Sequence, residues 1–380
     1  MPIFAQENNL LVFRGSNFLK QRLILSILSG KPVKIIDIRS NDNVPGLREF
    51  EVGLIRLLDK ITNGTKIELN PSGTSVVFSP GLLHGGTIHH DCCLQRGIGY
   101  YLDVLIALGP FCKNPLHATL RGVTNSKESP SVDNVKTSAL SLLKRFLIVD
   151  EGLELKVTKR GVMPEGGGEV IFRCPVRKNF RAIQCVKQGM VKRIRGTVYA
   201  CKVSPAMANR TVESAKGVML NFLTDVYIYT DQNKGKLSGN SPGFGINLVA
   251  ETTEGVIFSA ECVSNVKEQG NEPSVPEDLG KEAAHKLLDE IYRGGCVDSS
   301  FQWMAALFMA LGQKNVSKFL TGPLSQYTVH FLQHLRDFFA ITFKLENPEE
   351  EDEDEKPAGA QQVLMTCVGI GYTNISKRVI

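Results

Sequence analysis

The chain has 380 residues, of which 42% are hydrophobic and 22% charged, and its formal charge is +5. That length allows two or three domains around a sizeable core, and the composition is ordinary for a soluble globular protein. No run of about 18 apolar residues occurs, which excludes a membrane-spanning helix.

The opening segment, MPIFAQENNLLVFRG, has no basic stretch leading into a long apolar one and reads as no signal peptide. Nine cysteines are scattered from Cys92 to Cys367 without a CxxC pair. An odd, unpaired set fits a reducing compartment, cytosol or nucleus. Seven acids run together from Glu349 to Glu355 and read as a solvated, self-repelling loop. Setting those seven aside raises the balance from +5 to +12. A body that basic attracts polyanions, although scattered Lys and Arg also serve plain solubility.

In chain order, three stretches repeat one rhythm: RLILSILSGKPVKIIDI (22–38), YLDVLIALGPFCKNPLHATLRG (101–122) and WMAALFMALGQKNVSKFLTG (303–322). Each has helix-spaced apolar residues, then Gly, then Lys, then a β-prone segment. A second helix and strand follow each copy. In the first copy Asn63-Gly64 is expected to end that helix, and in the second Ser131 is a weak cap. Each copy closes on a strand: SGTSVVFSP, GGGEVIFRCP and QQVLMTCVGIGY. The expectation is three α–β–α–β–β units whose helices cover one face of small mixed sheets and pack against one another.

Between Pro175 and about Glu282 the rhythm breaks. RIRGTVYACKVSP, the helical ANRTVESAKGVMLNFL and three further strands form an insert domain, bounded by the polar loop 267–278. The resulting division is 1–95, 96–182, an insert at 183–283, and 284–380 with an acidic loop at 346–360.

Several motifs have both a chemical and a plain reading. HHDCC (89–93) suggests a metal cluster, but neighbours on a strand point to opposite faces, and the usual zinc spacings are missing. GGGE (166–169) leads into a strand rather than a helix, so it reads as a tight turn. GSNFLK (15–20) opens a helix either plainly or as an anion cradle with Lys20 and Arg22 nearby. KRIRG (192–196) reads as a solvated strand edge. Trp303 starts an apolar helix and belongs to core or contact surface.

Together, RGSNFLKQRLILSILSGKPVKI, IRSNDNVPGL, TNGTKIELNPSGTSVVFSPG, LRGVTNSKESPSVD, KRGVMPEGGGEV and GGCVDSS resemble the RNA 3′-terminal phosphate cyclases nearly end to end. The resemblance implies an α+β fold of three βαβαββ units forming one large domain, with a smaller inserted domain. Its enzymes adenylate a histidine, pass AMP to an RNA 3′-phosphate and close a cyclic phosphodiester. That chemistry needs an imidazole nitrogen, cations against phosphate, and oxygen ligands for a metal.

Aligned with that pattern, this chain departs at most of the chemistry-bearing positions. The nucleophilic histidine falls on Tyr327 of LTGPLSQYTVHFLQHL, with His330 nearly a turn away. An Asp-Gln pair becomes Trp303-Met304, and a Gln-His pair becomes Phe50-Glu51. A glycine-rich run becomes Gly15, Ser16, Asn17 and Lys20; an Arg becomes Asp42 and a Gln becomes Asp103. A phenol, with a reference pKa of about 10, forms no phosphoramidate.

What the resemblance implies is therefore a non-enzymatic protein of the ribosome-assembly branch. It would act in the nucleolus, in early pre-rRNA processing towards 18S rRNA and the small-subunit processome. A large nucleolar GTPase and pre-rRNA would be its partners, with no cofactor and no metal. Lys20, Arg22, Arg39, Arg121, Lys159 and Arg160 remain as an anion- or RNA-binding group, each equally a surface charge or helix-end partner. The alternatives are an endonuclease using His330 and His334, four residues apart on one helix face, or an active cyclase.

Overall fold

The computed structural model describes residues 10–265, 272–348 and 359–374. The acidic run Glu349–Glu355, read above as a solvated loop, lies outside the described residues.

Three four-stranded sheets share one topology. In the first unit, strand Leu11–Arg14 leads through helix Leu19–Ser29 to the parallel strand Val33–Ile36. Helix Glu49–Ile61 follows, then strands Lys66–Leu69 and Val76–Ser79, and the last strand pairs antiparallel between the second and the third. The second unit repeats this with strands Gly85–Asp91, Asn114–Gly122, Glu154–Lys159 and Gly168–Cys174. Its helices are Ile98–Leu108 and the run 132–146, whose middle, Val135–Ala139, is a π-turn. The third uses strands Gln184–Cys185, Val316–Thr321, Lys344–Glu346 and Val363–Val368, with helices Gln302–Leu311 and Gln326–Phe339. The architecture is α+β, and the three expected repeats are three βαβαββ units.

The inserted sheet has strands Val226–Asn233, Val191–Cys201, Gly243–Thr252 and Ile257–Val263, in that order. Helices Pro205–Met219 and Pro276–Arg293 pack together and on this sheet. Strand pairing draws the insert's edges elsewhere than 183 and 283. Gln184–Cys185 already belongs to the third unit's sheet, and helix Pro276–Arg293 runs on past 283. The insertion therefore interrupts the third unit between its first strand and its first helix. KRIRG is an edge only in part: its strand lies second in the sheet, and Ile194–Gly196 are paired on both sides, while Lys192 and Arg193 precede the pairing with Val226–Asn233 and are exposed.

Local chemistry fixes the helix ends. Gly30, at φ 72°, closes the first helix by donating its N–H to the Ser26 carbonyl at 2.9 Å, a left-handed residue that glycine adopts without strain. Arg48 N donates to Glu51 Oε2 at 2.7 Å and starts the next helix. That helix ends at Ile61, and Thr62–Asn63 pairs as a short strand with Leu82–Leu83 before Gly64 turns the chain, so Asn63-Gly64 is not its cap. The weak cap Ser131 is a real one, its Oγ accepting from Asn134 N at 3.1 Å.

The helices meet in a ring, the first helix of each unit against the second helix of the unit before it. Gln21 of the first unit donates to the Tyr327 carbonyl of the third at 2.9 Å. Phe308 of the third packs edge-on against Phe146 of the second, centroids 5.4 Å apart. Tyr101 of the second donates to the Phe50 carbonyl of the first at 3.3 Å. Every residue of helix Gln302–Leu311 is buried, as its almost wholly apolar sequence requires. Gly99 sits where a Cβ would come within 1.8 Å of the Pro130 carbonyl, so only glycine permits that contact.

Candidate functional site

The ring of helices brings all three units to one cleft of about 320 Å³, lined among others by Ser16, Asn17, Lys20, Arg39, Tyr100 and Tyr327. Lys20, in the first turn of the first helix, reaches across to Asp103 of the second unit at 2.5 Å. Both side chains are nearly closed to solvent. Around the ammonium stand the rings of Tyr100, Trp303 and Tyr327, at 4.9, 5.7 and 5.9 Å to their centroids. Burial alone would lower the Lys20 pKa, but the Asp103 carboxylate more than reverses this and holds the amine charged. Asp103 Oδ1 is buried and has no hydrogen-bond partner among the described residues.

Tyr327 presents its ring edge-on to Trp303, centroids 6.0 Å apart, and its buried hydroxyl has no hydrogen-bond partner among the described residues. Burial raises this phenol's pKa, against the pull of Lys20. Trp303, expected in core or contact surface, is core, at 2% exposure.

Behind the cleft, Arg22 is buried and donates to the Gly15 carbonyl at 2.8 Å and to His334 Nε2 at 3.5 Å. His334 Nδ1 lies 2.9 Å from Gln21 Oε1, so Nδ1 carries the proton and Nε2 accepts. Burial and the nearby cation lower the His334 pKa to about 4. His330 and His334 do share a face, both against the Phe18 ring. Neither nitrogen of His334 is free to serve as a base.

The six candidate cations do not form one group. Lys20 and Arg39 line the cleft. Arg39 is held by Glu51 in a two-bond fork, at 2.7 and 2.8 Å. That pairing raises the Arg39 pKa. Arg121 and Lys159 lie on the second unit's sheet on either side of Glu169, which Arg121 engages at 2.8 Å. Arg160 is buried and pins the insert to the second unit. Its guanidinium donates to Asp133 at 2.6 and 2.9 Å and to Asp231 at 2.6 Å. Of the six, only Lys159 lacks a hydrogen-bonded partner or ion pair among the described residues.

The other motifs resolve plainly. Along strand Gly85–Asp91, His89 and Asp91 are exposed while His90 is buried, so the HHDCC side chains diverge. Gly166 and Gly167, at φ 62° and 77°, turn the chain into strand Gly168–Cys174. Lys192 and Arg193 both pair with Glu251 at 2.7 Å, and Arg195 pairs with Asp225 at 2.8 Å.

The model of the RNA 3′-terminal phosphate cyclase family matches residues 11–345. The chain belongs to that family. It is 78% identical to a probable RNA 3′-terminal phosphate cyclase-like protein of Drosophila melanogaster, over the whole of both chains. It is 56% identical to the RNA 3′-terminal phosphate cyclase-like protein of Homo sapiens, covering 98% of this chain and 99% of that one. A protein of Schizosaccharomyces pombe named rRNA processing protein rcl1 is 42% identical over 97% and 98%.

The cyclase chemistry implies a metal-bound nucleoside triphosphate, and the residues of this member do not fit one. A divalent cation needs open oxygen ligands. One oxygen of Asp103 is taken by Lys20 and both oxygens of Glu51 by Arg39, while Trp303 and Met304 offer no hard donor and are buried. Among the described residues no cluster of three or more His, Cys, Asp or Glu is gathered. Sequence reasoning singled out Lys20 and Asp103 separately and missed that they neutralise each other. It also missed Arg160 as a pin, for which the only signal was the sequence pair Lys159-Arg160 beside a Gly-rich turn.

Proposed function

We propose that this cyclase-family chain is a non-catalytic factor of early pre-rRNA processing, acting in the nucleolus on the path to 18S rRNA and the small ribosomal subunit. The S. pombe relative, named as an rRNA processing protein, supports the pathway. The observation that carries the loss of chemistry is Tyr327 beside the closed Lys20–Asp103 pair. At the slot the family gives its nucleophile stands a phenol whose oxygen is buried, and the adjacent cation is already neutralised. What remains is a rigid three-unit body with an insert, which serves as a docking scaffold for a large nucleolar GTPase and for pre-rRNA.

The test is incubation with labelled ATP, magnesium and an RNA bearing a 3′-phosphate. No protein–AMP adduct and no cyclised end are expected; either product overturns the reading. Capture from nuclear extract should then recover a GTPase and small-subunit precursors, and recovery of RNA-repair factors instead would reject the pathway.

A further inference from the structure

The insertion leaves and rejoins the third unit along one edge of strand Val316–Thr321. On the way out, Cys185 lies beside Phe319. On the way back, Gly295 pairs with Thr321 and Cys296 N donates to the Leu320 carbonyl at 2.7 Å. The two ends are tied further by Gly295 N to Gln188 Oε1 at 3.0 Å and by the Cys296 thiol to the Lys187 carbonyl at 3.4 Å. Two cysteines therefore meet at the neck of a domain-sized insertion, each beside Arg145.

They are not equivalent. Cys296 is 3% exposed. Cys185 is half-buried and opens onto a cleft of about 470 Å³ lined also by Lys144, Arg145, Arg181 and Glu254. Arg145 of the second unit points its guanidinium at Cys185 Sγ, at 2.8 Å. A fixed cation on a thiol with solvent access favours the thiolate, the nucleophilic form. The neighbouring Cys296 thiol and Arg145 bring the Cys185 pKa below the ordinary thiol value. Burial raises the thiols of Cys92, Cys112, Cys174, Cys262 and Cys367 instead.

We propose that Cys185 is a peroxide-reactive modification site and Cys296 its resolving thiol, so that oxidation staples the neck of the insert with a disulfide. The Cys185 thiolate attacks one oxygen of hydrogen peroxide. The O–O bond breaks, the departing hydroxide takes a proton from solvent to become water, and Cys185 becomes a sulfenic acid. The Cys296 sulfur then attacks the Cys185 sulfur and loses its proton. The S–O bond breaks and a second water leaves. Overall, two thiols lose two electrons and two protons, and one peroxide is reduced to two waters. The bond would join residues on either side of the insertion, and closing so long a loop constrains the unfolded chain strongly.

The test needs no variant at first. Reduced full-length protein is treated with hydrogen peroxide, free thiols are alkylated, and the nine cysteines compete within one molecule. Cys185 should be lost at least ten times faster than any other, with a Cys185–Cys296 linked peptide appearing and thermal unfolding moving up by several degrees. Cys296→Ser should leave a Cys185 sulfenic acid that dimedone traps. Arg145→Gln should slow the Cys185 reaction several-fold. Reaction of Cys185 no faster than the other thiols, or its passage to sulfinic acid without the linked peptide in the unaltered protein, overturns the proposal.

Discussion

Lys20 Nζ and Asp103 Oδ2 stand 2.5 Å apart across the junction of the first two units, and the third unit roofs them with Trp303 and Tyr327. A pocket that could address a phosphate instead satisfies itself. Desolvating both charges is costly, and the pair holds only while both members are present.

Removing one member should therefore cost far more than removing both. Asp103→Ala leaves an uncompensated buried ammonium and is expected to lose about 3–5 kcal/mol in urea unfolding. The double variant Lys20→Met, Asp103→Leu should recover most of that loss. A double variant as unstable as the single would show that the pair's packing, not its charge, matters.

An imidazole in place of Tyr327 should not by itself give the cyclase chemistry. Tyr327→His is expected to give no labelled protein–AMP adduct, because Lys20 stays committed to Asp103 and no ligand set for a metal is gathered among the described residues. Tyr327→Phe deletes a buried hydroxyl that has no partner among the described residues and should leave stability unchanged or raise it by up to about 1 kcal/mol. Thermal melts and gel autoradiography check both.

Arg160 should be irreplaceable by lysine. Its fork engages Asp133 on one domain and Asp231 on the other, and an ammonium cannot span both in that geometry. Arg160→Lys is expected to loosen the insert, read as faster limited proteolysis at its borders and a loss of about 2–4 kcal/mol. A cleavage pattern unchanged from the unaltered protein would count against the pin.

Two buried groups should give opposite pH dependences. Asp298 accepts from Ser259 at 2.6 Å, and burial raises its pKa to about 7. The folded chain then keeps a proton the unfolded chain releases, so this group's contribution falls as pH rises from about 4 to about 7. His334 is lowered to about 4, so its contribution is complete above about 6.5 and is lost as pH falls towards 4. Asp298→Asn should remove the first slope and His334→Gln the second, each on the order of 1–3 kcal/mol in denaturation midpoints taken across pH 4–8.

The amino-acid sequence alone carried the three-fold rhythm, the presence of an insert and the family likeness. Helix periodicity, glycine stops and motif order are local properties, set by neighbours a few residues apart. The family likeness also gave the expectation that a phenol stands at the nucleophile's slot. Only the tertiary structure decided what the charged residues do. Lys20 and Asp103 are 83 residues apart, Arg160 and Asp231 71, and Cys185 and Cys296 sit on either side of the whole insertion. Whether a cation is open to a ligand or already neutralised depends on which carboxylate the fold places within about 3 Å, and periodicity does not encode that distance. For the same reason KRIRG read as an edge throughout when its Ile194–Gly196 half is interior: strand order in a sheet is settled by long-range pairing, not by the strand's own residues.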